Sequence, residues 1–207
     1  MTNTIATETP LATPQLTLVY EGPIDPAVLE EFRTAVATDG LSLEIRGGTS
    51  IRASAWSWLA PTAVILCISK SYFDGLFKEL GKAHAPRLDK ALRQLGWRLS
   101  GLKYWKATAK TVVPIEDRYS PILSVWTERR EGGRFKMLIA SGLEDAALDA
   151  ALSAYITFAQ AYHTDALEAE DLAILAEARP VGDVTLLAYD QSSGTIQLID
   201  PLEARLP

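Results

Sequence analysis

Few residues in this chain have the chemistry to act on a substrate, and their spacing is the first thing to weigh. There are two histidines, His84 and His163, and a single cysteine, Cys67. So small a set cannot build a zinc centre from histidine and cysteine, and no metal site is expected. No Gly-x-Ser-x-Gly elbow, His-Glu-x-x-His pair, Walker sequence or kinase set is present. What remains is local. Ser69, Lys70 and Ser71 form a short polar turn after an apolar run, where open α/β sheets place their ligands. Hydroxyls and an amine there suit ligand binding, although serines also cap helices. Arg46, Gly47 and Gly48 form a second candidate, because glycines let backbone amides approach an anion and Arg46 flanks them. The segment matches neither a dinucleotide fingerprint nor a P-loop, and a plain turn leaving a strand explains it as well. Glu79 stands between Lys78 and Lys82 and is a candidate acid if it faces a cleft.

These residues need elements to hold them. Residues 62–68 are apolar and rich in β-branched side chains, which favours a strand covered on both faces and buries Cys67. From Tyr72 onward Phe73, Leu76, Phe77, Leu80, His84, Leu88, Leu92 and Leu95 recur at helical spacing. Pro86 lies midway through that pattern and predicts a break near Ala85 with a restart at the proline. His84, on the apolar stripe, reads as a satisfied core or helix-end histidine.

Upstream, residues 16–20 read as a strand. Asp25 and Pro26 mark a helix start, Gly40 marks its end, and residues 41–45 alternate as a second strand. This is a βαβ unit. Residues 97–106 are basic and aromatic without clear periodicity, and 111–115 make a short strand whose Pro114 suits an edge. Two hairpins are expected, at 122–139 around Gly132 and Gly133 and at 184–199 around Gly194. Between them lie an Ala-rich helix over 145–162 and an acidic one over 166–178. The expected fold is α/β, with α+β character in its second half. It is a three-layer-like mixed sheet in which a parallel βαβ part precedes antiparallel hairpins with helices. The organisation expected is a disordered tail over 1–15 and one domain over 16–207, with a parallel half (16–116) and a hairpin-and-helix half (117–207).

Charge is uneven. Residues 70–110 carry ten Lys or Arg against three acids, while 141–207 carry twelve acids against two bases. The two blocks can meet in the fold, or one can meet a partner. With a net charge of −6, nucleic acid is disfavoured as a ligand, despite the basic aromatics near Trp97, Tyr104 and Trp105. No apolar stretch approaches a membrane span. The absence of a disulfide framework points to a reducing cytoplasm.

The segment from Ser69 to Leu80 resembles a TIR domain, with serine and tyrosine after the third strand and a helix carrying Glu79 and Leu80. Pro114 and Ile115 are similar to the Pro-Ile strand that follows in that family. Gly75 and Leu76 stand where the family has Trp-Cys, and the resemblance spans residues 16–116 only. It implies an NAD hydrolase with Glu79 as the catalytic acid and the turns at Ser69 and Gly47 holding the ligand. Without it, the residues indicate a binding or regulatory module with no cofactor, acting through a protein partner or a second copy of the chain.

Overall fold

The structure, a computed structural model, describes residues 13–48, 63–76, 84–100, 102, 105–107, 112–114 and 118–201. Glu79 and the expected cover over 51–59 lie outside the described residues, as does the expected tail apart from residues 13–15.

A seven-stranded mixed sheet organises the fold, in the order β2-β1-β3-β6-β7-β8-β9. Its strands are β1 (Leu16–Tyr20), β2 (Leu43–Gly47), β3 (Val64–Ile68), β6 (Leu123–Glu128), β7 (Arg134–Leu138), β8 (Val184–Asp190) and β9 (Thr195–Leu198). The helices are α1 (Pro26–Val36), α2 (Ala85–Ser100), α3 (Asp145–His163) and α4 (Ala169–Ala176). β4 (Trp105–Ala107) and β5 (Val112–Pro114) form a separate antiparallel ribbon. Pro114 thus sits on a short ribbon, where its missing amide interrupts no central ladder.

β1, α1 and β2 make the expected parallel unit, and the β6–β7 and β8–β9 hairpins are antiparallel. The parallel and antiparallel parts interleave more than the sequence suggests. β3 runs antiparallel to β1 and parallel to β6, and β7 and β8 are parallel across the α3–α4 crossover. Edge strands alternate in burial, as β2 and β9 do, while β3 is buried at every position except Cys67. An apolar run therefore marks a central strand here, but carries no sign of its direction.

One sheet face joins the helices in a single core. Leu18, Leu66, Val125, Met137 and Leu187 lie in one cross-strand row and cluster with Phe32 of α1, Leu92 of α2 and Leu152 of α3. α2 packs between α1 and α3. Gly96 lets α3 approach closely, since a Cβ there would meet Leu148 and Leu152 at 3.2 Å. The basic and acidic blocks meet at this packing: Arg93 lies 3.2 Å from Asp89 and 3.5 Å from Asp149. No helix among the described residues is long and apolar enough to cross a membrane.

The other face carries the row Thr17, Cys67, Trp126, Lys136. Cys67 is half-buried rather than enclosed, and burial pushes its thiol pKa up. Lys136 is only 1% exposed, its amine lying 5.3 Å from the centre of the Trp126 ring. Burial lowers that amine's pKa to about 8, because desolvation penalises the charged form.

Candidate functional site

Ser69 follows β3 and is buried. Its amide donates to the Gln15 carbonyl at 3.0 Å, and its hydroxyl lies 2.6 Å from that of Ser71. The Lys70 amide donates to Glu128 Oε2 at 3.1 Å, tying the turn to the end of β6. The chain then forms a π-helical turn, Tyr72–Leu76, where the sequence predicts ordinary helix. Gly75 within it is a poor helix former, so the α-helical ladder gains little there. Regular helix starts at Ala85 and Pro86, the predicted restart. His84 caps it, its carbonyl accepting from the Arg87 and Leu88 amides at 3.0 Å.

Hydrogen bonds fix the tautomer of His84. Its Nε2 lies 2.9 Å from the Val36 carbonyl, which can only accept, so Nε2 carries the proton. Nδ1 then accepts from the Tyr72 hydroxyl at 2.9 Å. Tyr72 is fully buried, and desolvation raises its pKa above the ordinary phenol value. This relay joins the end of α1, the π-helical turn and the start of α2. Both ring nitrogens of His84 are committed within the protein, the satisfied histidine that the sequence suggests.

A second cluster closes the same edge. Phe73 stacks on His163 with centroids 4.1 Å apart, and His163 Nε2 donates to the Glu128 carbonyl at 3.0 Å. Its Nδ1 is buried without a hydrogen-bond partner among the described residues, and burial holds its pKa below the ordinary histidine value. Tyr162 donates to Glu131, Arg130 pairs with Asp165, and the Arg130 guanidinium lies 4.9 Å from the Tyr162 ring centre. These contacts fasten the β6–β7 turn to the end of α3. Among the described residues, no three His, Cys, Asp or Glu side chains converge as metal ligands.

The two candidate turns do not share a cleft. Ser69 bonds to Gln15 at the start of β1, whereas Gly47 pairs with Tyr20 at its end and the Gly48 amide donates to the Tyr20 carbonyl at 2.9 Å. Five residue steps of strand separate the two levels, roughly 17 Å. The cause is topological. β2 is parallel to β1 and β3 antiparallel, so their C-terminal ends point to opposite edges. Arg46 makes an ion pair with Glu44 at 3.7 Å, both side chains substantially exposed.

A different region is open. α1 and α2 leave an outer groove of about 700 Å³, lined by Ala27, Glu31, Thr34, Gln94, Trp97 and Arg98 among others. Trp97 is 42% exposed. Across the groove, Arg98 Nε and Nη2 donate to Glu31 Oε2 and Oε1 at 3.1 and 2.8 Å. Such an exposed pair fixes geometry more than it adds stability. No family model, curated protein or solved structure matches the chain.

Sequence reasoning ends the helical pattern near Leu95 and so weighs Trp97 only among the basic aromatics that follow, as core packing at one edge or a stacking residue, whereas it stands exposed on α2. The signal was present. Leu88, Leu92, Leu95 and Leu99 are the buried stripe of a helix that runs on to Ser100, and that stripe places Trp97 on the outside.

Proposed function

We propose that this chain is a non-catalytic binding or regulatory module acting through protein–protein contacts. One observation carries the reading: a large aromatic, Trp97, stands exposed beside an open groove between two rigid helices. Tryptophan and arginine are among the residues that protein interfaces favour at their centres. A photo-cross-linking residue at Gln94 in the full chain tests this. The expected result is a discrete protein adduct, identified by mass spectrometry, that the same residue at exposed Thr157 on α3 does not form. Indistinguishable labelling from both positions removes the reading.

The alternative is a TIR-like nucleotide-handling enzyme acting on NAD, with Glu79 as its acid. In its favour, the Ser69–Ser71 turn lies at the C-terminal end of a central strand. Under this alternative, purified protein releases nicotinamide from NAD and Glu79→Gln abolishes the release. Absence of release from the wild-type chain eliminates it.

A further inference from the structure

The helical face that holds Trp97 is complementary to itself. Along α2, Arg87, Lys90, Gln94 and Trp97 recur at spacings of three and four, and all four are exposed. Along α1, Ala27, Glu30, Glu31 and Thr34 do the same. One surface therefore carries a bulky projection (Trp97), a floor of small side chains (Ala27 and Thr34), an acidic helix edge and a basic one. A two-fold axis requires this of a contact patch, because each copy must present both the group inserted and the place that receives it.

From this juxtaposition we infer that the groove between α1 and α2 is a docking surface for a second copy of this chain. Trp97 of each copy inserts beside Ala27 and Thr34 of the other, and the acidic α1 of each lies along the basic α2 of its neighbour. The inference rests on the proposed function and names the partner. Charge is what selects a second copy over an unrelated protein. Arg87 and Lys90 enter no ion pair among the described residues, and the acids on the same face, Glu30 and Glu31, are held only in exposed pairs with Arg33 and Arg98 that a second cation can share. Two-fold pairing sets these opposite charges against each other twice.

Size sets the strength. At 1.5 Å per residue α2 is ~24 Å long, and two helices side by side are ~20 Å wide, so each copy offers roughly 500 Å². The total, on the order of 1,000 Å², lies at the low end of specific interfaces and matches a weak, reversible dimer. A dissociation constant of roughly 10–100 μM is expected, with the four helices of the pair forming one layer.

Sedimentation equilibrium of the full chain from micromolar to near-millimolar concentration is the test. The expected result is a monomer–dimer equilibrium that Trp97→Asp weakens at least tenfold, while Leu172→Asp on exposed α4 leaves it unchanged. Thr34→Arg fills the floor without touching the indole and is expected to weaken the dimer similarly, so the outcome does not depend on one variant. A dimer that withstands both Trp97→Asp and Thr34→Arg overturns the inference. A chain monomeric throughout, whose Gln94 cross-link to a different protein is lost in Trp97→Asp, overturns the second copy but leaves the binding reading. A monomer with no such cross-link overturns both.

Discussion

The edge of the sheet beyond Ser69 and the outer groove beside Trp97 use similar residue types to opposite ends. At the edge, polar groups largely find partners within the chain: the Ser69 hydroxyl with that of Ser71, the backbone amide of exposed Lys70 with Glu128, and buried Tyr72 with His84 and so with Val36. These bonds join α1, β3, β6 and α2. At the groove, an indole, two acids and several bases stand in water, and the Arg33–Glu30 and Arg98–Glu31 pairs there are both substantially exposed. The contrast teaches that a concentration of polar side chains locates a junction of elements as readily as a site. Unspent binding capacity, rather than polarity, distinguishes a surface meant for something else.

The sharpest way to break this contrast is at His84. If the relay is structural, His84→Ala strands the Tyr72 hydroxyl and the Val36 carbonyl in the core and leaves a cavity. A cost of about 3 kcal/mol is expected, read from urea denaturation. A change below about 1 kcal/mol would instead mark the histidine as dispensable to the fold and reopen a functional role for it.

A smaller effect, of opposite sign, is expected at Lys136. Folding lowers its amine pKa from an ordinary 10.5 to about 8, so between those values the unfolded chain holds more protons than the folded one. Stability then rises with pH across that window, by at most about 3 kcal/mol. The measurement belongs below pH 9, because ionisation of Cys67 above it, and of Tyr72 and Tyr155 above pH 10, acts the other way, their folded pKa values being raised. Lys136→Met removes this titration while keeping much of the side-chain volume. It should flatten the rise above pH 8. An unchanged pH slope in the variant would show that the rise comes from other groups.

The smallest effect on folding belongs to the groove. Trp97→Asp, which is to dissolve the dimer, should shift monomer stability by no more than about 0.5–1 kcal/mol, since the side chain is substantially exposed. A much larger loss would make Trp97 part of the core and erase the distinction between the two regions.

Much of the fold is legible in the sequence alone. Period-two alternation at 41–45 locates one edge strand, the hairpin signal around Gly194 the other, the apolar run at 62–68 a central one, and Asp25 with Pro26 the start of α1, where the Asp25 side chain accepts from the Ala27 amide at 2.9 Å. Pro86 fixed the start of α2 because a proline tolerates only the first turn of a helix. Such features follow from each residue's own backbone preferences and from its near neighbours, so they survive without knowledge of the rest of the chain. The tertiary structure decided the direction of β3. Burial on both faces is the same whether a strand runs up or down, yet this direction sent the Ser69 and Gly47 turns to opposite edges. It also decided which polar groups were already satisfied. A hydrogen bond such as His84 to Val36 spans 48 positions and depends on where three elements pack, a quantity that local propensity does not contain.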